Sequence, residues 1–246
     1  MGGCAGSAGG RAVCAGPAAG WAREEGFTDA AVRLAECLAV YLHWRRYFDD
    51  FITVAGVARE AARHAGDRVS EAGAWNNLGI ALRGAGRPAE AIKAHTHGRD
   101  LHHALGNSHR EAVAWNNLGF ALREADRAEE AIEAHIRARN LYQAVGDHHG
   151  EAGAWNNLGA DLAETGHRAE AIEALTRARD LYQAAGDRHS EAIAQYDLGM
   201  ALAEAGRVVE AVDGYGRSLE VFQKFEDWYR TGQVLHKLAI AHTTAH

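Results

Sequence analysis

Cysteine is scarce in this chain of 246 residues, which contains only three. Cys4 and Cys14 lie in a glycine-rich beginning and Cys37 lies in a predicted helix. This odd, scattered set provides neither a disulfide framework nor a Cys-x-x-Cys metal pair. We therefore expect the protein to work in a reducing compartment, the cytoplasm.

Long apolar runs and blocks of one charge are also missing. No stretch of about 18 apolar residues is present to span a bilayer, and residues 1–20 alternate Gly and Ala without the apolar core of a signal peptide. The formal charge is −7, with both signs mixed along the chain. Because no basic block is present, we predict that neither a nucleic acid nor a membrane is a partner.

Motifs for catalysis and metal binding are absent as well. The chain has no H-E-x-x-H, no phosphate-binding G-x-x-x-x-G-K-[ST] loop, no G-x-S-x-G elbow and no dinucleotide fingerprint. It has fifteen histidines, but adjacent ones such as His102 and His103 point about 100° apart on a helix and do not share one ion without outside ligands. We predict no enzymatic activity, no catalytic residue, no cofactor and no metal.

What the chain does contain is a repeat. The stretch Trp75-Asn76-Asn77-Leu78-Gly79 returns unchanged at 115–119 and 155–159, a period of 40 residues that is typical of stacked repeats. Trp75, Leu78, Gly79 and Leu82 follow the i, i+3, i+4, i+7 spacing of one helix face. A second helix is predicted from a second recurring signal: Glu-Ala-Ile at 90–92, 130–132 and 170–172, and Glu-Ala-Val at 210–212.

Turn residues separate the predicted helices. After four of the second helices a glycine is followed by Asp or Asn, as in Gly66-Asp67, where the glycine ends one helix and the polar residue caps the next. Each unit is therefore predicted to be a helical hairpin. The turn inside the hairpins falls on a glycine in three units and on an aspartate in one: Gly86, Asp126, Gly166 and Gly206.

The pattern Trp75-x-x-Leu78-Gly79-x-x-Leu82, followed by Ala91, resembles the tetratricopeptide repeat over most of residues 26–246. The resemblance implies an all-α, right-handed superhelical solenoid of antiparallel helix hairpins. The period of 40, rather than 34, is similar to that of kinesin light chain, peptide-pheromone receptors and actinobacterial signalling ATPases. His95 and His135 stand where the family usually has an aromatic residue.

The period also predicts how the chain is divided. Residues 1–22 form a Gly/Ala-rich tail that we expect to be disordered. Residues 225–246 form a half repeat, which either caps the stack, belongs to a longer protein or supports weak self-association. The predicted repeats between them are a divergent one at 23–64, near copies at 65–104, 105–144 and 145–184, and a divergent one at 185–224.

The resemblance also points to a binding site. In such solenoids the first helices line the concave face, and the second Asn of such a pair grips the backbone of a bound peptide, a role that falls to Asn77, Asn117 and Asn157. An amide offers both a donor and an acceptor. The alternative interpretation is that each Asn bonds a neighbouring helix and keeps the repeats in register. Trp75, Trp115 and Trp155 lie about 200° away on the packing stripe.

Side-chain pockets must complete such a site. Ile80, Phe120 and Met200 are predicted to contact apolar side chains of the ligand, while Arg83 and Arg123 either pair with a ligand carboxylate or form a solvated salt bridge to a nearby Glu. Glu124, Glu164 and Glu204 make the other end of the groove acidic.

We predict a non-catalytic module that binds an extended peptide or the tail of a partner protein in its concave groove. The alternative is a regulatory or sensor segment of a larger signalling ATPase or transcription regulator, separated from its effector domain. Two of the histidines, His95 and His135, are expected to be buried. Their protonation is predicted to weaken the stack below pH ~6.5.

Overall fold

The computed structural model describes residues 28–244, and side chains from 30 to 241. This part of the chain is all α-helical, as predicted, and the tail predicted at residues 1–22 lies outside it. Consecutive helices form antiparallel pairs of a tetratricopeptide-like solenoid. The helices are α1 (Thr28–Trp44), α2 (Phe48–Ala65), α3 (Arg68–Gly84), α4 (Pro88–Ala104), α5 (Ser108–Arg123), α6 (Ala128–Val145), α7 (His148–Glu164), α8 (Arg168–Ala185), α9 (Arg188–Glu204), α10 (Val208–Lys224) and α11 (Trp228–Thr244).

Capping residues fix where the first helix of each hairpin begins. The Asp67 carboxylate accepts hydrogen bonds from the backbone N–H groups of Val69 and Ser70, both at 3.1 Å. Gly66, directly before it, has φ +71°, a left-handed conformation that glycine adopts without strain. The predicted sequence of glycine stop and acidic start is confirmed. The same cap recurs at Asn107, Asp147, Asp187 and Asp227.

Small residues allow the two helices of a hairpin to approach closely. A Cβ added to Gly79 would lie 2.5 Å from the His95 ring, so no larger residue fits without displacement of the ring. The next repeats pair the same glycine with a different partner. These pairs are Gly119 with His135, Gly159 with Leu175, and Gly199 with Tyr215.

The helices fall into two compact units, which end and begin at Leu105 and Gly106. In unit 1, α1 to α4 pack in chain order, with a small alanine cluster of Ala35, Ala58 and Ala74. In unit 2, α5 to α11 also pack in chain order, and Leu175 and Phe222 lie in the buried core.

Within residues 28–244, no helix combines the length and the apolar character that crossing a membrane requires. In the same part of the chain, no cluster of three or more His, Cys, Asp or Glu side chains is arranged to hold a metal ion.

Candidate functional site

The asparagine pairs bond to one another between repeats of unit 2. Asn157 Nδ2 donates to Asn116 Oδ1 at 2.9 Å, and Asn156 Nδ2 donates to Asp197 Oδ2 at 2.9 Å. Both bonds join the first position of one repeat to the second position of the next. The register role that the sequence left open is therefore present at Asn157. Asn116 and Asn156, the first residues of two pairs, are partners that the prediction did not include.

The Asn157 amide retains hydrogen-bonding capacity after this contact. Its side chain is half-buried, and in residues 30–241 its bond to Asn116 uses one N–H and not the carbonyl oxygen. An amide has two donor hydrogens and two acceptor lone pairs. A ligand backbone N–H is a suitable donor to the remaining oxygen, so register and peptide binding are compatible at this residue.

In unit 1, Asn77 lies in a small cleft against α1 and α2. The cleft also includes Glu36, Ser70 and Phe51. Glu36 precedes Asn77 by 41 residues, the same separation as that between Asn116 and Asn157. The second Asn of this repeat thus faces the corresponding position of the first helix.

Repeat 185–224 has an acid, Asp197, in place of the second asparagine. Burial raises the pKa of its carboxyl above the ordinary value, while the hydrogen bond from Asn156 and the charges of Arg230 and Arg123 act in the opposite direction. The end of the asparagine row is therefore a partly desolvated carboxyl group and not an amide.

Arg123, predicted to pair with a ligand carboxylate, is paired inside the protein. Its Nη1 lies 3.0 Å from Asp161 Oδ1, and His135 Nδ1 lies 2.6 Å from Asp161 Oδ2. Asp161 is 1% exposed and His135 is fully buried. The Arg123 guanidinium therefore compensates a buried carboxylate, and the partner is not one of the nearby glutamates that the sequence suggested.

Asp161 was not among the predicted residues, although the period marks it. The same position holds Ala81, Ala121 and Ala201 in the other repeats, and all three are buried. An acid at a position otherwise kept for buried alanine needs a partner. The sequence does not show which side chains of the preceding repeat provide it.

Phe120 contacts both partners of that carboxylate. The Arg123 guanidinium carbon lies 5.3 Å from the centroid of the Phe120 ring, and the His135 ring meets Phe120 edge to face at 5.5 Å. Phe120 remains half-buried. Two predicted ligand contacts, Phe120 and Arg123, are thus brought together on one face of α5.

The remaining predicted contacts lie on the same face of other first helices. Ile80 and Arg83 are half-buried in unit 1, and Met200 is half-buried in unit 2, where it packs against the core. Glu164 and Glu204 are exposed. The peptide-binding role of these side chains stays a prediction.

His95 corrects the expected route by which acid weakens the fold, but not the direction of the effect. The ring is fully buried, and both ring nitrogens lack a hydrogen-bond partner within residues 30–241. Burial, followed by the charge of Arg83, lowers its pKa to about 3. Folded His95 therefore stays neutral near pH 6.5, contrary to the prediction that it takes a proton there.

The tryptophans pack as predicted, and two of them, Trp75 and Trp155, lie beneath an arginine. The Arg139 guanidinium lies 4.4 Å from the Trp155 ring centroid, and Arg59 lies 4.6 Å from that of Trp75. Trp155 also packs against the core of unit 2. The arginine comes from the second helix of the preceding hairpin, so the cation–π contact joins successive repeats.

Comparison with known proteins shows which repeat this arrangement is similar to. The family profile of the tetratricopeptide repeat matches residues 110–184. This match and the sequential hairpins on both sides show a tetratricopeptide-like repeat fold. A search of curated proteins finds no match to it.

Solved structures share the fold at low sequence identity. A putative kinesin light chain of Podosopora anserina, with nearly identical TPR-like repeats, is 14% identical, has a TM-score of 0.70 and covers 83% of this chain and 100% of its own. A signal transduction ATPase of Pyrococcus horikoshii, with a tetratricopeptide repeat sensor, is 12% identical, with a TM-score of 0.68 and coverage of 85% of this chain and 34% of its own. A Rap protein in complex with competence and sporulation factor is 14% identical and has a TM-score of 0.65. The match covers 90% of this chain and 66% of the Rap protein.

Proposed function

We propose that the protein is a non-catalytic interaction module that binds an extended peptide, or the tail of a partner protein, across its first helices. We name the surface of Asn117, Phe120, Asn157, Ala160 and Met200 the first-helix face of unit 2. The observation that carries the proposal is the half-buried Asn157 amide, whose carbonyl oxygen stays unused by its bond to Asn116. The similar Rap protein, solved with a bound factor, supports a ligand-binding role.

Affinity on this face must come from side chains as well as from the ligand backbone. A hydrogen bond contributes a net ~0.5–1.5 kcal/mol, so the two asparagines of this face, Asn117 and Asn157, give about 1–3 kcal/mol. Association costs at least several kcal/mol in lost freedom. Apolar contacts with Phe120 and Met200 are therefore required, and we expect a ligand with hydrophobic side chains.

The charges on this face favour a particular ligand. Glu164 and Glu204 are exposed at one end of the first helices, while the Arg123 guanidinium is paired with Asp161. We infer that the ligand carries a basic residue toward the glutamates. The absence of a disulfide framework supports an interaction in the reducing cytoplasm.

A matched pair of variants tests the proposal. The triple change Asn77→Ala, Asn117→Ala and Asn157→Ala removes the predicted ligand contacts. The control, Asn76→Ala, Asn116→Ala and Asn156→Ala, breaks the same Asn157–Asn116 bond from its other side. Both are compared with the wild type by affinity capture from the cytosol of the source cells, after circular dichroism shows equal helicity.

We expect the control to retain the partner that the wild type captures and the first variant to lose it. Equal capture by all three proteins would contradict the proposal. Equal loss by both variants would also contradict it, because the asparagines would then act only through register.

A second candidate function is a sensor segment of a larger regulator. Its support is the similarity to the sensor-bearing ATPase, of which the matched region is about a third. Such a protein needs a nucleotide-binding loop or a DNA-binding helix-turn-helix. Sequencing the adjacent coding region tests this, and a coding region with neither element would contradict it.

A further inference from the structure

The last complete hairpin of unit 2 has an open pocket on a side away from the first-helix face. Helices α8, α9 and α10 enclose a volume of about 440 Å³. Its walls include side chains of both polar and apolar character: Arg179, Arg188, Glu191, Gln195, Ser218 and Val221. Gln195 occupies the position that Trp75, Trp115 and Trp155 hold in the other repeats.

One repeat earlier, an indole ring fills the same place. Trp155 lies beneath the Arg139 guanidinium at 4.4 Å. Asn140 holds that guanidinium in position, because its Oδ1 accepts hydrogen bonds from Arg139 Nε at 3.1 Å and from Nη2 at 2.7 Å. The indole thus has a fixed cationic surface above it.

The Arg179 guanidinium provides the same cationic surface, but no aromatic ring within residues 30–241 lies under it. Its Nε and Nη2 donate to Asp180 Oδ1 at 2.9 and 2.6 Å, the same pair of bonds that fixes Arg139. Gln195 is buried, and its amide is turned toward Gly214, where an added Cβ would lie 2.8 Å from Gln195 Nε2. The guanidinium is therefore preorganised for an aromatic ring that the chain itself does not provide.

Two further wall positions differ from those of the preceding repeat, and the differences suit a polar ring. Ser218 stands where the preceding repeat has Ala178, and the smaller Val221 stands where it has Leu181. The Glu191 carboxylate lies in the wall and is an acceptor for a ring N–H. Loss of the indole and shortening of the apolar wall together enlarge the space.

The charges disfavour an anion as the ligand. Each of the three arginines of the pocket has an acidic partner: Arg179 pairs with Asp180, Arg188 with Glu191 at 3.5 Å, and Arg217 with Asp213. A phosphate or carboxylate would have to displace one of these acids. A neutral ring only needs to stack on Arg179, as Trp155 stacks on Arg139.

We propose that this pocket binds a planar aromatic ring with an N–H donor, of the indole type, from outside the chain. The ring takes the place of the missing tryptophan, with its face against the Arg179 guanidinium and its N–H toward Glu191. The ring comes from a tryptophan side chain of a partner or from a free indole compound. This site is independent of the asparagine row.

The test uses N-acetyl-L-tryptophanamide as the probe, with ligand-observed NMR on the full chain. Gln195→Trp restores the residue of the other repeats, so we expect it to fold with an unfolding temperature no lower than that of the wild type and to bind the probe at least tenfold more weakly. Arg179→Leu removes the stacking surface, and we expect roughly two- to fivefold weaker binding from loss of the cation–π contact. Asn157→Ala, on the first-helix face, is expected to leave probe affinity unchanged.

The proposal is overturned if Gln195→Trp binds the probe as tightly as the wild type. It is also overturned if the wild type shows no saturable binding, or binds N-acetyl-L-leucinamide equally well. A parallel titration with free indole separates the two sources of the ring. Equal affinity for indole supports a free compound, and tighter binding of the tryptophanamide supports a peptide side chain.

Discussion

His95 and His135 occupy the same position in successive repeats, yet their surroundings differ. Both rings are fully buried against a glycine of their own hairpin. His135 Nδ1 lies 2.6 Å from the Asp161 carboxylate, whereas neither nitrogen of His95 has a hydrogen-bond partner in the described part of the chain. Near-identical repeats thus hold one buried histidine with a single ring nitrogen bonded and one with neither nitrogen bonded in the described residues.

The difference shows that the helical scaffold does not determine the polar chemistry inside it. In the next repeat Leu175 stands at the histidine position, and Leu175 and Ala201 both lie in the core of unit 2. The hairpin therefore packs with an apolar pair as well as with the His135–Asp161 pair. A buried polar pair restricts which partners fit, but it does not by itself raise stability.

The largest expected effect on stability follows from replacing one member of the His135–Asp161 pair. His135→Leu leaves the buried Asp161 carboxylate with Arg123 alone, and we expect the free energy of unfolding to fall by about 2–4 kcal/mol. Urea unfolding followed by circular dichroism measures this change. A loss below about 0.5 kcal/mol would show that the hydrogen bond contributes little.

The double variant His135→Leu with Asp161→Ala compares the polar pair directly with an apolar pair. It copies the Leu175 and Ala201 pair of the next repeat, so we expect stability within about 1 kcal/mol of the wild type. The two single changes should therefore be strongly non-additive. Losses that simply add would mean that the two side chains do not act as a pair.

The second prediction concerns the pH dependence that His95 introduces. Its folded pKa is lowered to about 3, so between pH 6.5 and 3 only the unfolded chain binds the proton. The free energy of unfolding therefore falls as pH decreases below 6.5, by roughly 1.4 kcal/mol per pH unit. We expect His95→Leu to remove this loss and to be about 2 kcal/mol more stable, relative to the wild type, at pH 5 than at pH 7.5.

The exposed His236 provides the control. His236→Gln should leave the pH dependence of urea unfolding as it is in the wild type. If His95→Leu also leaves it unchanged, burial of the neutral ring is not the source of the acid sensitivity.

The smallest expected effect concerns the other desolvated acid, Asp197. Its raised folded pKa means that the folded carboxyl holds its proton to higher pH than the unfolded one, so stability is present at low pH and lost as pH rises. Asp197→Asn restores the residue of the other repeats and can still accept the bond from Asn156. We expect a gain of up to about 1 kcal/mol at pH 7 that disappears near pH 4.

Thermal unfolding at pH 7 and at pH 4 measures this gain. A variant less stable than the wild type at pH 7 would show that Asp197 has a favourable partner that outweighs its burial.

The sequence predicted the elements that depend on periodicity. Trp75, Leu78, Gly79 and Leu82 identified the first helix, and the Gly66-Asp67 pair gave its start, because these features act within one or two helical turns. Asp161 and Gln195 were visible only as departures from the period.

Contacts between repeats needed the structure. The Asn157–Asn116 bond and the Asp161 partners join different helices, and no local spacing determines how those helices are placed. The Arg–Trp stacks, and the vacant place under Arg179, likewise join helices that are far apart in the sequence.

The most direct test of the central claim is to locate a captured partner by site-specific photo-crosslinking. Benzoylphenylalanine replaces Ala160 on the first-helix face, where Phe120 shows that an aromatic residue fits, and in a second protein replaces the exposed Glu173 on α8. We predict that the partner crosslinks to position 160 and not to position 173. Crosslinking at 173 alone would contradict peptide binding on the first-helix face.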